Sequence, residues 1–87
     1  MRFKTINFSK EERFILGIEV ETNRYYIAIP VNLGLVDGLE YYEIEKVEFD
    51  KFEQDFEYLK NLAQKCRERK NDGKLLFQPG LVRGTPC

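Results

Sequence analysis

Apolar and polar residues alternate along three stretches of the chain, which is the pattern of β-strands that bury one face. The first stretch has its apolar positions at Phe14, Leu16, Ile18 and Val20. The second covers residues 25–31 and the third covers residues 40–45. Asn23 lies between the first two stretches and tolerates the left-handed backbone of a tight turn. Short connections of this kind predict an antiparallel meander.

From residue 47 onward, the apolar side chains are spaced by steps of three and four residues, which places them on one face of a helix. This stripe consists of Phe49, Phe52, Phe56, Leu59, Ala63 and Cys66. Asp55 is a favoured N-cap residue, so residues 47–71 form either one helix or two. Gly73 suits the left-handed position that follows a helix, and it predicts an end near Asn71.

Together these elements predict an α+β fold. We expect a three- to four-stranded antiparallel sheet, with residues 75–77 as the fourth strand and one long or two shorter helices packed on one face. A chain of 87 residues is sufficient for a single domain, with residues 1–10 and 79–87 as less regular termini. Cys66 lies on the apolar stripe and Cys87 is the last residue, so their positions do not indicate a disulfide.

The composition removes several classes of catalytic and metal site. There is no histidine and only one serine, which excludes a nucleophile activated by imidazole and argues against a tetrahedral zinc site. Carboxylate pairs such as Glu43 with Glu45 arise readily by chance in an acidic stretch. We therefore expect a protein without catalysis, cofactor or metal. The absence of a long apolar stretch predicts a cytoplasmic protein without membrane partners.

Charged residues are sorted along the chain. Nine acids and two lysines lie between Asp37 and Glu57, whereas residues 58–87 carry seven basic and two acidic residues. A helix accounts for part of this sorting, because acids near its N-terminus and bases near its C-terminus complement its dipole. The basic end offers an alternative function, nucleic-acid binding, through Lys65, Arg67, Arg69 and Lys70, together with Arg83. The sequence pI of about 5.5 argues against that alternative.

The helix dipole does not explain the acids on the predicted strands. If the apolar positions of the sheet face the helix, the opposite face carries carboxylates next to tyrosines. Its predicted partner-binding residues are Glu19, Glu21, Tyr26, Tyr41, Glu43 and Glu45. Aromatic side chains supply much of the energy of protein interfaces, and charges steer a complementary partner. The alternative is an ordinary solvated sheet face with tyrosine and glutamate as cross-strand neighbours.

Four segments carry a resemblance to a known group of proteins. They are residues 23–32 (NRYYIAIPVN), 34–37 (GLVD), 40–44 (EYYEI) and 83–86 (RGTP). With these segments the chain resembles, over most of residues 13–86, small bacterial immunity proteins of contact-dependent inhibition and other polymorphic toxin systems. The resemblance implies a cytoplasmic inhibitor that binds and neutralises one cognate toxin. We expect the protein to be a monomer or a weak dimer. Such toxins are often nucleases with a basic active site, which an acidic surface would complement.

Overall fold

The computed structural model of the chain describes residues 2–32, 37–68, 73, 76, 85 and 86. Its main element is an antiparallel sheet in the order β1-β2-β3-β4, with a short β5 paired to β3. The strands are β1 (Phe3–Ser9), β2 (Phe14–Glu19), β3 (Arg24–Asn32), β4 (Asp37–Ile44) and β5 (Thr85–Pro86). The helices are α1 (Lys46–Phe49), α2 (Lys51–Gln54) and α3 (Phe56–Arg67). The helices pack against the sheet, which confirms the predicted α+β fold.

The N-terminal strand corrects one prediction. Residues 3–9 are an edge strand paired with β2, although residues 1–10 were predicted to be less regular. The register of β1 against β2 shifts between Thr5 and Asn7, which marks a β-bulge. A bulge adds a residue to one strand, and it therefore interrupts the alternation by which a strand is identified in a sequence.

The first three strands are connected by two turns, each with one residue in the left-handed backbone conformation. Asn23, between β2 and β3, has a φ of 58°, in agreement with the turn predicted there. Arg13, between β1 and β2, has a φ of 56°. The Arg67 guanidinium on α3 donates hydrogen bonds to the carbonyl oxygens of Glu12 and Arg13. This contact ties the β1–β2 turn to the helix and holds an arginine in a backbone conformation that it otherwise disfavours.

Asp55 divides the helical region, as predicted. Its carboxylate accepts a hydrogen bond from the backbone N–H of Tyr58, at 3.2 Å, and caps α3. Helices α1 and α2 meet at Asp50, which keeps a helical backbone, so the main break is at Asp55. Helix α3 ends at Arg67, earlier than the predicted end at residue 71. Asn71 itself lies outside the described residues.

The larger of two hydrophobic clusters lies between the sheet and the helices. Its buried residues are Phe14, Leu16, Ile27, Ile29, Tyr42, Ile44, Leu59, Ala63 and Cys66. The strand and helix patterns predicted these positions. Val20 was predicted to share this face, but β2 ends at Glu19 and Val20 is exposed. Of the predicted fourth strand, only Leu76 is described, and its backbone N–H donates to the carbonyl oxygen of Tyr41 at 3.0 Å.

Candidate protein-binding surface

The sheet face opposite the helices carries a second hydrophobic cluster. Tyr26, Ala28 and Leu76 are buried there, with four partly buried side chains packed around them, namely Phe3, Ile15, Leu39 and Tyr41. The cluster is aromatic at its centre, since the Phe3 ring stacks on Tyr41 with ring centroids 3.7 Å apart and meets Tyr26 edge-on at 5.3 Å. This face was predicted to be a surface of carboxylates and tyrosines. The structure corrects that prediction, because the side chains of Phe3, on β1, and Leu76 pack over the middle of this face.

Tyr26 is therefore an interior residue, with 1% of its surface exposed. Its ring lies over Gly17, where the space for a side chain is already taken by the Tyr26 hydroxyl and by the carbonyl oxygen of Lys4. Burial raises the pKa of the Tyr26 phenol, and a hydrogen bond with Thr5 partly offsets this rise. Tyr26 thus packs the fold and offers no surface to a partner.

Glu19 is also inaccessible, with 0% of its surface exposed. Its carboxylate accepts hydrogen bonds from the hydroxyl and backbone N–H of Thr22, the latter at 2.9 Å. It also accepts from the backbone N–H groups of Arg2, at 3.0 Å, and Glu21, at 3.1 Å. The Thr22 hydroxyl and these N–H groups outweigh desolvation and lower the pKa of Glu19 to about 2. Glu19 is therefore an anchor of the β2–β3 turn and of the start of β1.

The other four predicted residues keep some accessible surface but do not form one patch on that face. Tyr41 is half-buried against Phe3 and Tyr26. Glu21 is exposed in the turn that Glu19 anchors. Glu43 is exposed near the end of β4, and its Oε1 lies 3.9 Å from Nη1 of Arg24. Glu45 is exposed just before α1. Glu43 and Glu45 are exposed and close together in the chain, at the junction of β4 and α1.

Two residues outside the predicted partner-binding set, Glu48 and Tyr58, extend this junction. The Tyr58 hydroxyl donates a hydrogen bond to Glu48 Oε2 at 2.7 Å, and this bond raises the pKa of the Tyr58 phenol. Glu48 also accepts from the backbone N–H of Glu45, at 3.0 Å, in a capping box at the start of α1. We call Glu43, Glu45, Glu48 and Tyr58 the acidic surface.

A crevice of about 190 Å³ between β4 and α3 borders the acidic surface. Glu43, Glu48 and Tyr58 line it together with the apolar side chains of Ile44 and Leu62, and Lys65 contributes a positive charge. The Tyr58 ring is partly exposed here, and Lys51 Nζ lies 5.2 Å from its centroid. The acidic surface thus combines carboxylates with an aromatic ring, beside a crevice that has both charged and apolar walls. The spacing of apolar residues could not show that Tyr58 meets Glu48, because the break at Asp55 sets the angle between their helices.

The residues of the nucleic-acid alternative are only partly described. Lys65 is exposed. Arg67 holds the β1–β2 turn through the carbonyl oxygens of Glu12 and Arg13, so its guanidinium has a structural role. Arg69, Lys70 and Arg83 lie outside the described residues. The structure therefore brings no basic cluster together among the described members of this set.

Comparisons with known proteins identify no relatives. The chain matches no protein-family model, no curated protein and no solved structure. Within the described residues, no three histidine, cysteine, aspartate or glutamate side chains are grouped so as to hold a metal ion. None of the helices in that part of the chain has the length and apolar character that crossing a bilayer requires.

Proposed function

We propose that this protein binds a basic partner protein through the acidic surface, in the way that an immunity protein binds and neutralises its toxin. The observation that carries the proposal is the grouping of Glu43, Glu45 and Glu48 around an exposed tyrosine, beside a crevice with both charged and apolar walls. Carboxylates at such a site steer a positively charged partner during encounter. A tyrosine that is held by a hydrogen bond offers a large contact area at low entropic cost.

Hydrogen bonds and strand pairing hold the residues of the acidic surface in place. Glu48 is held by the Tyr58 hydroxyl and by the Glu45 backbone, and Glu43 lies on β4, which pairs along its length with β3. Rigid elements position interface groups more accurately than loops do, so less ordering is required on binding. This arrangement favours recognition of one partner over loose attraction of any basic protein.

The test is a charge reversal at the surface, Glu43→Lys with Glu45→Lys. The partner tested is the protein encoded by the reading frame next to that of this chain, and association is followed by stopped-flow fluorescence at low ionic strength. We expect the association rate constant to fall by about tenfold or more, because steering is lost. The melting temperature should fall only modestly, since both side chains are exposed and the main structural loss is the Glu45 cap at the start of α1.

A matched control separates local recognition from net charge. Glu53→Lys with Glu57→Lys makes the same change of charge at two other exposed acids of the helical region. This variant should slow association less than the first pair does. Equal effects of the two pairs would show that only net charge matters. Unchanged kinetics for the Glu43 and Glu45 pair would rule out the acidic surface as the binding site.

A further inference from the structure

The outer side of β1 is a sheet edge. In the strand order β1 is terminal and, within the described residues, no strand pairs with it on the side away from β2. An edge strand presents backbone N–H and C=O groups that can pair with an added strand. This edge also carries two exposed apolar side chains, Ile6 at 43% and Phe8 at 64%. An exposed apolar edge of this kind favours pairing with another chain.

A groove of about 300 Å³ lies beside this edge, on the sheet face opposite the helices. Its apolar walls are formed by Phe8, Ile15, Pro30 and Leu39. This volume is at the lower end of the range for ligand sites and suits one or two apolar side chains. Because Phe8 belongs both to the edge and to the groove, a strand added to β1 would lie directly beside the wall of the groove that Phe8 forms.

The bulge limits where such pairing can occur. The register of β1 shifts between Thr5 and Asn7, and a bulge interrupts a hydrogen-bond ladder and bends the strand. Lys4, before the bulge, is a charged residue of the kind that protects an edge from pairing. Residues 7–9 follow the bulge and border the groove through Phe8 and Ser9. Pairing is therefore favoured along this half of the strand.

The charges near the edge indicate the kind of partner. β1 contains no acidic residue, and Arg2, Lys4 and Lys10 lie on it or beside it. Lys10 and Arg13 are the charged residues that line the groove. Glu12 lies in the same turn, but its Oε1 is 3.9 Å from Nζ of Lys60 and the residue does not line the groove. Because the charged residues of the groove are cations, an acidic strand would gain complementary charge there, whereas the β1 strand of a second copy contains no acid to offer.

We propose that an extended segment of a partner protein, alternating apolar and acidic residues, adds as a strand to residues 7–9 of β1. Its apolar side chains would enter the groove, and its carboxylates would meet Lys10 and Arg13. This site goes beyond the acidic surface, from which it differs in charge, in elements and in the chemistry of its partner.

The probe is a synthetic seven-residue peptide of alternating glutamate and valine, with a peptide of alternating lysine and valine as its counterpart. Binding is followed by the backbone amide shifts of the ¹⁵N-labelled protein. We expect saturable shifts in residues 6–9 and in Ile15 with the acidic peptide, and an affinity at least tenfold lower with the lysine peptide. Absence of saturable shifts in β1 at millimolar acidic peptide, or equal affinity for the two peptides, would overturn the proposal.

Two variants with exposed positions serve as the matched pair. Phe8→Glu places a carboxylate at the groove and should lower the affinity for the acidic peptide by at least tenfold. Val47→Glu introduces the same group at an apolar residue of α1 that is 59% exposed, and it should leave the affinity unchanged. Sedimentation equilibrium of the unmodified protein tests whether a second copy of the chain occupies the edge instead. A dimer that Phe8→Glu dissociates would show that a second copy covers the edge, and it would overturn the proposal.

Discussion

Glutamates at the β2–β3 turn and at the β4–α1 junction play opposite parts in this molecule. Glu19, at the turn, is inaccessible, and its carboxylate accepts hydrogen bonds from Arg2, Glu21 and Thr22. Glu43, at the junction, keeps 47% of its side chain exposed and has Arg24 only at 3.9 Å. The first carboxylate holds the fold together, whereas the second remains accessible to a partner.

This difference shows what determines whether a charged residue is available for binding. Glu19 and Glu43 both lie on β-strands and both alternate with apolar residues, so their sequence patterns are alike. Their environments differ because three backbone N–H groups near the turn donate to the Glu19 carboxylate, while the end of β4 leaves Glu43 at the margin of the sheet. Buried N–H groups require acceptors, and a carboxylate supplies several at once.

The largest expected effect on stability is at Gly17, which lies on β2, the strand that ends at Glu19. Gly17→Ala would place a methyl group against the Lys4 carbonyl oxygen and 2.5 Å from the Tyr26 hydroxyl oxygen. Backbone cannot move aside easily, so we expect a loss of about 3 kcal/mol in the free energy of unfolding, at the upper end of overpacking effects. Urea denaturation followed by circular dichroism measures it.

Gly73→Ala is the matched control for that prediction. Among the described residues, apart from its chain neighbours, none has an atom within 4 Å of the position that its added methyl group would take. The substitution should therefore change the free energy of unfolding by less than about 0.5 kcal/mol. If Gly17→Ala were equally mild, the packing of β1 and Tyr26 over Gly17 would not be a tight part of the fold.

A smaller effect, and one that depends on pH, is expected at Glu19. The folded-state pKa of Glu19 is lowered from 4.5 to about 2, so its charged form stabilises the folded protein above pH 4.5. That stabilisation should be lost as the pH falls from about 5 to about 2. Glu19→Gln should lose stability at pH 7 and show a weaker decline with acid, as measured by urea denaturation across pH. Identical pH profiles for the two proteins would contradict the role of Glu19 as an anchor.

Periodicity predicted much of the fold but only part of the candidate site. The alternation of β2 and the helical stripe identified Leu16, Leu59 and Ala63 as core residues, because burial on one face imposes those periods. The side chains that bury Tyr26 on the sheet face opposite the helices could not be predicted in this way. They belong to β1, whose bulge breaks the alternation, and to Leu76, which reaches Tyr26 through tertiary contact. A pattern of residues shows which positions share a face, but it does not show what covers that face.

The smallest effect is expected at the acidic surface. Tyr58→Phe removes the hydroxyl that donates to Glu48, but the pair is exposed to water, which replaces most of the lost interaction. The free energy of unfolding should fall by less than about 1 kcal/mol in urea denaturation. Tyr26→Phe is the buried counterpart and should cost more, because it removes a hydroxyl that is packed over Gly17 in the interior and is hydrogen-bonded to Thr5. A larger loss for Tyr58→Phe than for Tyr26→Phe would mean that the acidic surface also holds the fold together, and the contrast between the two regions would disappear.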